Sequence, residues 1–335
     1  MWIIRKRGYA RAGLLGNPSD GYNGKTISFI LRNFWADVVL YEWDSVDIVL
    51  AEQDRARFRS IYDLAKDVER HGYYGGIRLI KATIKRFVDY CQAQGIELHD
   101  QNFSVRYQTT IPQQVGLAGS SAIIKATLYA LLEFYGLDMP LPVQPTFVLS
   151  VEGELDIAGG LQDRVIQCYE GMVYMDFAPE KNKTVAGLAY YDYECMEPTL
   201  LPPLYVAYHA TLGEPTEVFH NDIRSRYNRG DAQIVQAMER FAQLAQEGRQ
   251  AIIERDAARL SQLIDENFDL RNSISALAPW QIQQIEVARS CGASAKFAGS
   301  GGAIVGVYQD EAMFQTLTSR LEAIGSRVIK PQILP

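Results

Sequence analysis

One helix constrains the fold of this 335-residue chain more than any other segment. The stretch from Ser120 to Tyr135 carries only Lys125 and Glu133 as charged residues, and Gly136 is placed to end it. A helix that is apolar on nearly all sides must be buried, so other elements have to surround it. The sequence therefore predicts a large core with this helix inside it.

The loop before this helix combines glycines with hydroxyl groups. Residues 112–122 read Pro-Gln-Gln-Val-Gly-Leu-Ala-Gly-Ser-Ser-Ala, and Gly116 and Gly119 let backbone amides come close to an anion. The first helical turn adds unpaired N–H groups and the positive end of the helix dipole, which favour phosphate. Ser120 and Ser121 can cap the helix or hold a magnesium ion. By itself the loop is equally consistent with an ordinary helix entry, because it lacks the Gly-Lys-Ser/Thr ending of the common nucleotide-binding loop.

Composition and charge exclude several classes of partner. The chain has 33 Lys and Arg against 40 Asp and Glu, a net charge of −7, which argues against nucleic acid. Its four cysteines are widely separated and its four histidines scattered, so neither zinc nor a disulfide framework is expected. The most apolar stretch, 27–43, contains charges, and no apolar segment follows the basic N-terminus. We expect a cytoplasmic protein with no membrane partner and do not predict its oligomeric state.

The order of elements favours an α+β fold. Strands and helices are interleaved without the regular rhythm of a doubly wound sheet, which favours two lobes. A polar stretch and the Pro-rich residues 197–203 indicate a boundary near residue 200, giving domains 1–200 and 201–335. Strands are predicted at 27–33, 36–42, 46–50, 103–108, 172–177 and 204–209, and helices from 77, at 120–135, at 145–156 and at several places between 217 and 289. A glycine-rich turn flanked by strands lies within 294–308, followed by a final helix and strand.

A polar turn near the N-terminus is the first of three further segments of interest. A short apolar strand ends at Gly16 and leads into residues 17–25, whose side chains suit the binding of sugar hydroxyls. The same residue types are the usual turn formers, so an ordinary hairpin turn is the competing interpretation. Asn17, Asp20 and Tyr22 are the candidate substrate contacts.

The second and third segments contain carboxylates and glycines. Glu152 on a helix and Asp163 eleven residues later flank a glycine-rich turn, although Glu152 can also be part of an exposed helix end. Phosphoryl transfer to an alcohol needs a metal to screen the phosphates and a carboxylate to orient the hydroxyl or accept its proton. The third segment, 296–302, predicts either a tight hairpin or a backbone that supports the phosphate loop. Its turn consists of Gly299, Ser300, Gly301 and Gly302.

Together these four segments resemble the kinase superfamily named for galactose, homoserine, mevalonate and phosphomevalonate. Residues 112–122 correspond to its ATP loop, P-x-x-x-G-L-x-S-S-A, with one extra residue, because Leu117, Ala118 and Gly119 stand where the pattern has Leu and one small residue. The order of the segments also matches. The resemblance implies an N-terminal mixed-sheet domain, a C-terminal ferredoxin-like domain and an active site between them.

Within the superfamily the chain most resembles the glucuronokinases, over nearly its whole length. Segments 15–20, 72–76, 116–122, 160–165, 201–204 and 296–302 carry this resemblance. It implies transfer of the γ-phosphate of ATP, with Mg²⁺ as second cofactor, to the anomeric hydroxyl of a uronic acid. D-glucuronate would be the sugar, and the product its 1-phosphate.

The resemblance also implies roles for single residues. Asp163 corresponds to the catalytic carboxylate, which also contacts the sugar, and Arg11 on the first strand to the basic residue beside it. Ser121 and Glu152 correspond to the magnesium ligands, although the extra glycine leaves Ser120 as an alternative to Ser121. The ATP loop itself comprises Pro112, Gly116, Leu117, Ala118, Gly119, Ser120, Ser121 and Ala122.

The substrate is less constrained than the reaction. Asp20 corresponds to the sugar-binding aspartate of the superfamily, and a uronic acid needs an arginine or lysine for its carboxylate, ideally a bidentate arginine. The sequence does not choose among four candidates, which are Arg78, Arg224, Arg226 and Arg271.

Four alternative functions differ from a uronic acid kinase in testable ways. A kinase for galactose or a heptose is the nearest one. A decarboxylase of the same superfamily is disfavoured by the hydroxyl-rich turn at 17–23, and a non-catalytic sugar and ATP sensor by the presence of Arg11, Glu152 and Asp163. A dinucleotide-dependent oxidoreductase would need a G-x-G-x-x-G fingerprint after its first strand, which this chain lacks.

Overall fold

A computed structural model describes residues 3–49, 75–157, 159–210 and 223–333 of the chain. The segment Gly72–Tyr74, which contributes to the family resemblance, lies outside the described residues. So does Leu50, the end of the third predicted strand.

The first half of the chain forms a six-stranded mixed sheet. Its long central strand β2 (Lys25–Trp43) pairs antiparallel with β1 (Ile3–Leu15), and β4 (Asn102–Thr109) and β5 (Met172–Asp176) pair with opposite ends of β2. The short strand β3 (Asp47–Val49) runs parallel to β4, and β8 (Asp192–Met196) runs antiparallel to β5. The polar turn thus lies between β1 and β2, near the β5 end of the sheet.

The described residues of this half form four α-helices: α1 (Gly76–Ala93), α2 (Gly119–Phe134), α3 (Gln144–Gly153) and α4 (Gln162–Tyr169). Helix α2 packs on β1 and β2 and is also covered by α1, α3 and α4. Even Lys125 of α2 is buried, and its ammonium pairs with the Glu170 carboxylate, 3.1 Å away. The prediction that this helix is buried on nearly all sides is confirmed.

The second half forms a four-stranded antiparallel sheet. Strands β9 (Leu204–His209), β10 (Lys296–Phe297), β11 (Ala303–Val307) and β12 (Ser326–Ile329) lie in the order β10-β11-β9-β12. Helices α5 (Ala232–Ile253), α6 (Ala257–Ile274) and α7 (Pro279–Ser290) follow β9, and α8 (Glu311–Glu322) follows β11. This split β-α-β arrangement is the ferredoxin-like topology that the family resemblance implied.

Strand β9 is buried on both faces, which explains its continuous apolar sequence. Leu204, Val206 and Tyr208 belong to the large core that fills the first half, whereas Tyr205 and Ala207 belong to a second core. Side chains alternate between the two faces of a strand, so β9 stands between these cores. The large core therefore continues from one half of the molecule into the other.

Helix α5 joins the two halves most directly. It packs against β1, β2 and the polar turn, and Gly248 of α5 lies so close to Leu15 that a Cβ atom would overlap the leucine side chain. The last strand of the first sheet ends at Met196 and the first strand of the second begins at Leu204. The domain boundary near residue 200 stays a prediction, and it lies in the connection between these strands.

The structure corrects three of the predicted elements. The strands expected at 27–33 and 36–42 form one strand, β2, whose register against β1 shifts between Tyr9 and Ala10 because residues 32–34 bulge out. The helix expected at 145–156 ends at Gly153. Helix α4 and the hairpin of β6 (Lys183–Val185) and β7 (Leu188–Tyr190) were not predicted, since all are short and the hairpin is largely exposed.

Candidate active site

The loop before α2 has a backbone shaped by alternating positive φ angles. Gln114, Gly116 and Ala118 have φ angles of 57°, 77° and 60°. Successive residues that alternate between right- and left-handed conformations turn their N–H groups toward a common point, an arrangement that binds anions. The loop opens directly into α2, so the dipole of that helix points at the same place. This arrangement suits a phosphate group.

The expected serine cap of α2 is wrong. The helix begins at Gly119, its N-cap is Ala118 in the left-handed conformation, and no side chain caps it. The hydroxyl of Ser121 donates to the Ala118 carbonyl at 3.4 Å. Because the helix starts one residue earlier than expected, both serines lie in its first turn and not before it.

Arg11 connects three segments that are far apart in the sequence. Its guanidinium forms two parallel hydrogen bonds to the carboxylate of Asp163, 2.6 and 2.7 Å long. It also donates to the carbonyl of Gly116 in the loop, at 2.6 Å, and to that of Ala298 beside the glycine turn, at 3.0 Å. Arg11 therefore aligns the loop, the first turn of α4 and the start of the glycine turn around one buried charge.

Asp163 is held in its ionised form. Burial alone would raise its pKa, but the charge and hydrogen bonds of Arg11, with a contribution from Arg164, outweigh burial and lower the pKa to about 2. Two parallel bonds from a planar guanidinium also fix the orientation of the carboxylate. Its side chain is still 19% exposed, so it is not completely enclosed by the protein.

Asp20 has the opposite electrostatic environment. Burial and the nearby charge of Asp163 raise its pKa to about 6, although the backbone N–H of Gln162 donates to the carboxylate at 3.2 Å. Gly160 approaches so closely that a Cβ atom there would overlap the Asp20 carboxylate. The polar turn thus brings a second carboxylate next to the first turn of α4, and the two carboxylates differ strongly in their affinity for protons.

Lys296 on β10 anchors the polar turn from the second sheet. Its buried ammonium donates to Asn17 Oδ1 at 2.6 Å and to the carbonyl oxygens of Gly13 and Phe297, both at 2.8 Å. Burial, together with the charges of Arg271 and Arg11, lowers its pKa well below the usual value. The side chain of Asn17 is therefore fixed by a residue from the other half of the molecule.

Tyr22, the third candidate in the turn, is mostly enclosed by other side chains. Its ring centroid lies 4.7 Å from that of Tyr227, and the guanidinium of Arg224 lies 4.6 Å from the Tyr22 ring centroid. The ring therefore packs between two side chains of the short helix at 223–228. Tyr22 thus packs beside the turn, and its contact with a substrate stays a prediction.

Glu152 and Ser121 offer hard oxygen atoms of the kind that magnesium prefers. Arg164 donates to Glu152 Oε2 through both Nε and Nη2, whereas Oε1 accepts no hydrogen bond from the described residues. Burial raises the pKa of Glu152, although Arg164 opposes that effect. Mg²⁺ commonly takes one or two carboxylates and completes its coordination with substrate phosphates and water, so one free carboxylate oxygen and a hydroxyl fit. Within the described residues, no group of three or more His, Cys, Asp and Glu side chains forms a metal cluster.

The glycine turn packs against the phosphate-type loop. A Cβ atom on Gly116 would lie 2.9 Å from the backbone nitrogen of Ser300 and 3.0 Å from the carbonyl oxygen of Gly301. A Cβ atom on Gly299 would overlap the Gly116 carbonyl, and one on Gly302 would lie 2.9 Å from Val115 Cα. The turn, which also comprises Ser300 and Gly301, thus lies directly behind the loop and leaves no room for side chains between them.

Three residues of this site were not singled out from the sequence as site residues. Arg164 pairs with Glu152, Lys296 holds Asn17, and the amide of Gln167 donates to the carbonyls of Tyr9 and Ala118. Lys296 could have been singled out from the sequence, because it is a charged residue inside an apolar stretch. Arg164 and Gln167 could not, because the helix that contains them was not predicted.

Comparison with known proteins decides the family. Models of the N-terminal and C-terminal domains of GHMP kinases match residues 78–171 and 249–325. Probable glucuronokinase 2 of Arabidopsis thaliana is 44% identical over 310 residues, and glucuronokinase 1 of the same plant is 43% identical over 311 residues. Each alignment covers 90% of this chain and 84% of the relative. The chain belongs to the glucuronokinase family of GHMP kinases.

Solved structures agree with this kinase fold. The crystal structure of Lactococcus lactis galactokinase complexed with galactose superposes with a TM-score of 0.77 at 14% sequence identity. The match covers 99% of this kinase and 93% of the galactokinase, so both lobes are shared. The α+β, two-lobed fold predicted from the sequence is confirmed.

Among the helices described for this kinase, none has the length and apolar character needed to cross a membrane.

Proposed function

We propose that this kinase transfers the γ-phosphate of ATP to the anomeric hydroxyl of D-glucuronate. Two relatives named as glucuronokinases share more than 40% of the sequence over nine-tenths of the chain. The observation that carries the mechanism is the bidentate pair of Arg11 and Asp163, because it fixes an ionised carboxylate beside the mouth of the phosphate-type loop. A fixed carboxylate and an anion-binding loop are the two parts that phosphoryl transfer to an alcohol needs.

The loop at 112–122 and the first turn of α2 would hold the phosphates of ATP through backbone N–H groups. Ser121 and Glu152 would hold Mg²⁺, which screens phosphate charge and leaves the transferring group more electrophilic. The glycine turn keeps the loop in shape from behind, since its backbone contacts Gly116 without intervening side chains. Positioning of this kind is the main contribution that a protein makes to phosphoryl transfer.

The sugar would lie between the polar turn and Asp163. The anomeric oxygen attacks the γ-phosphorus in line, a new P–O bond forms, and the bond from the γ-phosphorus to the bridging oxygen breaks to release ADP. The hydroxyl proton passes to the Asp163 carboxylate and from there to solvent. Because the Asp163 pKa is about 2, this carboxylate is a weak base, so it contributes mainly by orienting the hydroxyl and by accepting the proton late in the transfer.

Asp20 and Asn17 would bind ring hydroxyls of the sugar. Asp20 is placed beside α4 by its hydrogen bond from Gln162, and Asn17 is fixed by Lys296. Two polar side chains held by different elements define the orientation of a polyol better than one flexible side chain does. Small-molecule sugar and ATP would be the partners of this site.

The compartment is part of the same proposal. All four cysteines, Cys91, Cys168, Cys195 and Cys291, are free thiols. Free thiols persist in a reducing environment, which supports a role in the cytoplasm.

A substrate panel tests the proposed reaction. The purified protein is incubated with ATP, Mg²⁺ and one of D-glucuronate, D-galacturonate, D-galactose, D-glucose or a heptose, and ADP release is followed. Phosphorus and proton NMR of the product then locate the phosphate on the ring. We expect D-glucuronate to have the highest kcat/KM and to yield its 1-phosphate. Turnover of galactose or the heptose as fast as that of glucuronate would contradict the uronic acid assignment, and ADP release with CO₂ would indicate a decarboxylase.

A further inference from the structure

Four arginines are candidates for binding a substrate carboxylate, and the structure separates them by location. Arg226 pairs with Asp231 and donates to the carbonyl of Ile274. Arg271 is buried and donates to the carbonyl oxygens of Gly299 and Ser300 in the glycine turn. Both arginines thus have structural roles in the second half of the chain.

Arg78 lies at the other end of the first sheet from the polar turn. It is in the first turn of α1, where the N–H of Gly76 donates to the hydroxyl of Tyr107 on β4. Strand β4 pairs with residues 36–43 of β2, whereas the polar turn ends where β2 begins, at Lys25. Of the four arginines, this leaves Arg224 to be considered.

Arg224 contacts the polar turn at two points. Its Nη1 donates to the carbonyl of Gly21 at 2.8 Å, and its guanidinium lies over the ring of Tyr22, 4.6 Å from the centroid. Tyr227 supports that ring from 4.7 Å away. An aromatic face and one hydrogen bond together restrict the plane of the guanidinium before any ligand arrives.

Most donors of Arg224 remain available to a ligand. A guanidinium has five N–H groups, and the Gly21 carbonyl is the one acceptor that Arg224 contacts among the described residues. The side chain is exposed, and no carboxylate in the described part of the chain pairs with it. An exposed, oriented and unpaired guanidinium suits two parallel hydrogen bonds to a carboxylate.

The carboxylates around the polar turn would repel an acidic sugar, so binding of such a sugar needs a cation such as the Arg224 guanidinium. Asp20 and Asp163 already place two carboxylates beside the proposed sugar site, and they raise the cost of bringing a third one there. In a pyranose, the anomeric carbon and the carbon that bears the carboxylate flank the same ring oxygen. A uronic acid with its anomeric hydroxyl at Asp163 therefore keeps its carboxylate within one sugar ring of that residue. Arg224 donates to Gly21, the neighbour of Asp20, and Asp20 accepts from the N–H of Gln162, the neighbour of Asp163, so Arg224 is linked to the residues beside Asp163 through the polar turn.

We propose that Arg224 is the specificity-determining residue of the sugar site, and that its guanidinium binds the carboxylate of the uronic acid. This inference rests on the proposed function. It adds that selection against neutral sugars depends on one arginine that is anchored to the turn by Gly21 and Tyr22.

The test compares Arg224→Met and Arg224→Lys with the wild-type protein on D-glucuronate, on the neutral amide D-glucuronamide and on D-glucose. We expect Arg224→Met to lower kcat/KM for glucuronate about 10- to 100-fold, mainly through KM, because hydrogen bonds to a charged partner are lost. Turnover of the two neutral sugars should stay within about twofold, and Arg224→Lys should lie between Arg224→Met and wild type. Arg229→Met serves as matched control, since Arg229 is an exposed arginine on the segment that follows the same short helix.

Different outcomes separate this inference from the proposed function. If wild type does not phosphorylate glucuronate, the proposed function fails and the inference fails with it. If wild type does so and Arg224→Met keeps its kcat/KM, the carboxylate binds elsewhere and only the inference fails. An equal loss on glucuronate and glucuronamide would show that Arg224 merely supports the turn, which also overturns the inference. Thermal unfolding of each variant shows whether it is folded.

Discussion

Two neighbouring aspartates illustrate how surroundings determine the role of a side chain. Asp163 faces the Arg11 guanidinium, whose charge and hydrogen bonds lower its pKa to about 2. No arginine among the described residues forms a hydrogen bond with Asp20, and burial and the charge of Asp163 raise its pKa to about 6. Such a pair of carboxylates with widely different proton affinities is typical of a catalytic site.

Replacement of Asp163 by Asn should abolish most of the activity. We expect kcat to fall by about 10²- to 10⁴-fold, because the hydroxyl loses the carboxylate that orients it and accepts its proton. The folded protein should also lose about 3 kcal/mol of unfolding free energy, since the buried Arg11 is left without a charge partner. Steady-state kinetics and urea unfolding measure the two effects.

The pH dependence and a control sharpen this test. The lowered pKa of Asp163 stabilises the folded state above about pH 4, the unfolded value, and this contribution disappears as the pH falls toward 2. The difference in stability between wild type and variant should therefore be largest near neutral pH. Asp269→Asn removes the carboxylate of an exposed pair with Arg289 and should change stability by less than about 1 kcal/mol. Full activity of Asp163→Asn would contradict the catalytic role.

Replacement of Asp20 by Asn should stabilise the protein while it weakens sugar binding. A carboxyl with a raised pKa of about 6 favours its protonated form in the folded state, so stability is lost as the pH rises from about 4, the unfolded value, through 6, and the full cost remains at higher pH. We expect the Tm of Asp20→Asn to exceed that of wild type by roughly 1–2 °C at pH 8, the shift for about 1 kcal/mol in a chain of this length. At pH 4 both side chains are neutral and the difference should close.

The exposed Asp138 offers the matched control for this measurement. Asp138→Asn should leave the Tm unchanged at both pH values, because its carboxylate lies in water. Glucuronate KM should rise for Asp20→Asn and stay constant for Asp138→Asn. A Tm for Asp20→Asn that is lower than wild type at pH 8 would show that the ionised carboxylate stabilises the turn.

At the scale of elements, the loop and the glycine turn act as one unit. Gly116 has a φ of 77° and lies against the backbone of Ser300 and Gly301, so neither segment can change shape alone. A phosphate site made from backbone amides depends on such support, because the amides have no side chain to adjust their direction. The shape of the loop at 112–122 is therefore set partly by the C-terminal lobe.

A pair of glycine variants separates this contact from backbone strain. Gly116 and Gly136 both have positive φ angles, 77° and 61°, but a Cβ atom on Gly136 meets nothing within 4 Å. Both Gly→Ala changes should therefore cost about 1 kcal/mol of stability through the left-handed backbone. Only Gly116→Ala should raise the KM for ATP, by about tenfold or more, because its methyl group displaces the Ser300 backbone. An equal KM for ATP in the two variants would argue against the supporting role of the turn.

Many residues of this candidate site could be singled out from the sequence, and there are physical reasons why the others could not. Residue type and order along the chain singled out Asp163, Arg11 and the loop, which the hydrogen bonds of Arg11 bring together, while their roles stay predictions. Arg164 is the partner of Glu152, and Lys296 is the partner of Asn17. Both contacts join different elements of the fold, and no local sequence pattern encodes such contacts. The start of α2 at Gly119 was missed by one residue because an alanine in the left-handed conformation replaced the expected serine cap. The fold itself was predictable in outline, since burial patterns identify long strands and helices better than short, exposed ones.

At the scale of the molecule, the two lobes share one core. The apolar cluster that contains Leu15 and Leu128 also contains Val206 and Phe241, and α5 packs against β1 and β2. Inter-domain interfaces are usually smaller and more polar than this, and permit independent motion. The continuity of the core here predicts that the lobes unfold together.

Unfolding should accordingly be a single transition in both lobes. Trp35 and Trp43 lie on β2 in the first lobe, and Trp280 lies on α7 in the second. Urea unfolding followed by the fluorescence of a Trp280→Phe variant should have the same midpoint as far-UV circular dichroism of the same variant. A matched Trp2→Phe, Trp35→Phe, Trp43→Phe triple variant keeps Trp280 of the second lobe as its one tryptophan and should give coincident curves as well. Separate midpoints would show that the lobes are independent folding units.

The four bonds of Arg11 have a consequence for how the protein is made. They join residue 11 to residues 116, 163 and 298, so the guanidinium has its last acceptor only after nearly nine-tenths of the polypeptide has been synthesised. Synthesis from the N-terminus lets the first lobe begin to fold early, at a ribosome that adds about 5–20 residues per second. A nascent chain can thus contain the whole loop at 112–122 while the hydrogen bonds of Arg11 are still incomplete, and the proposed active site can assemble only in the final stretch of translation.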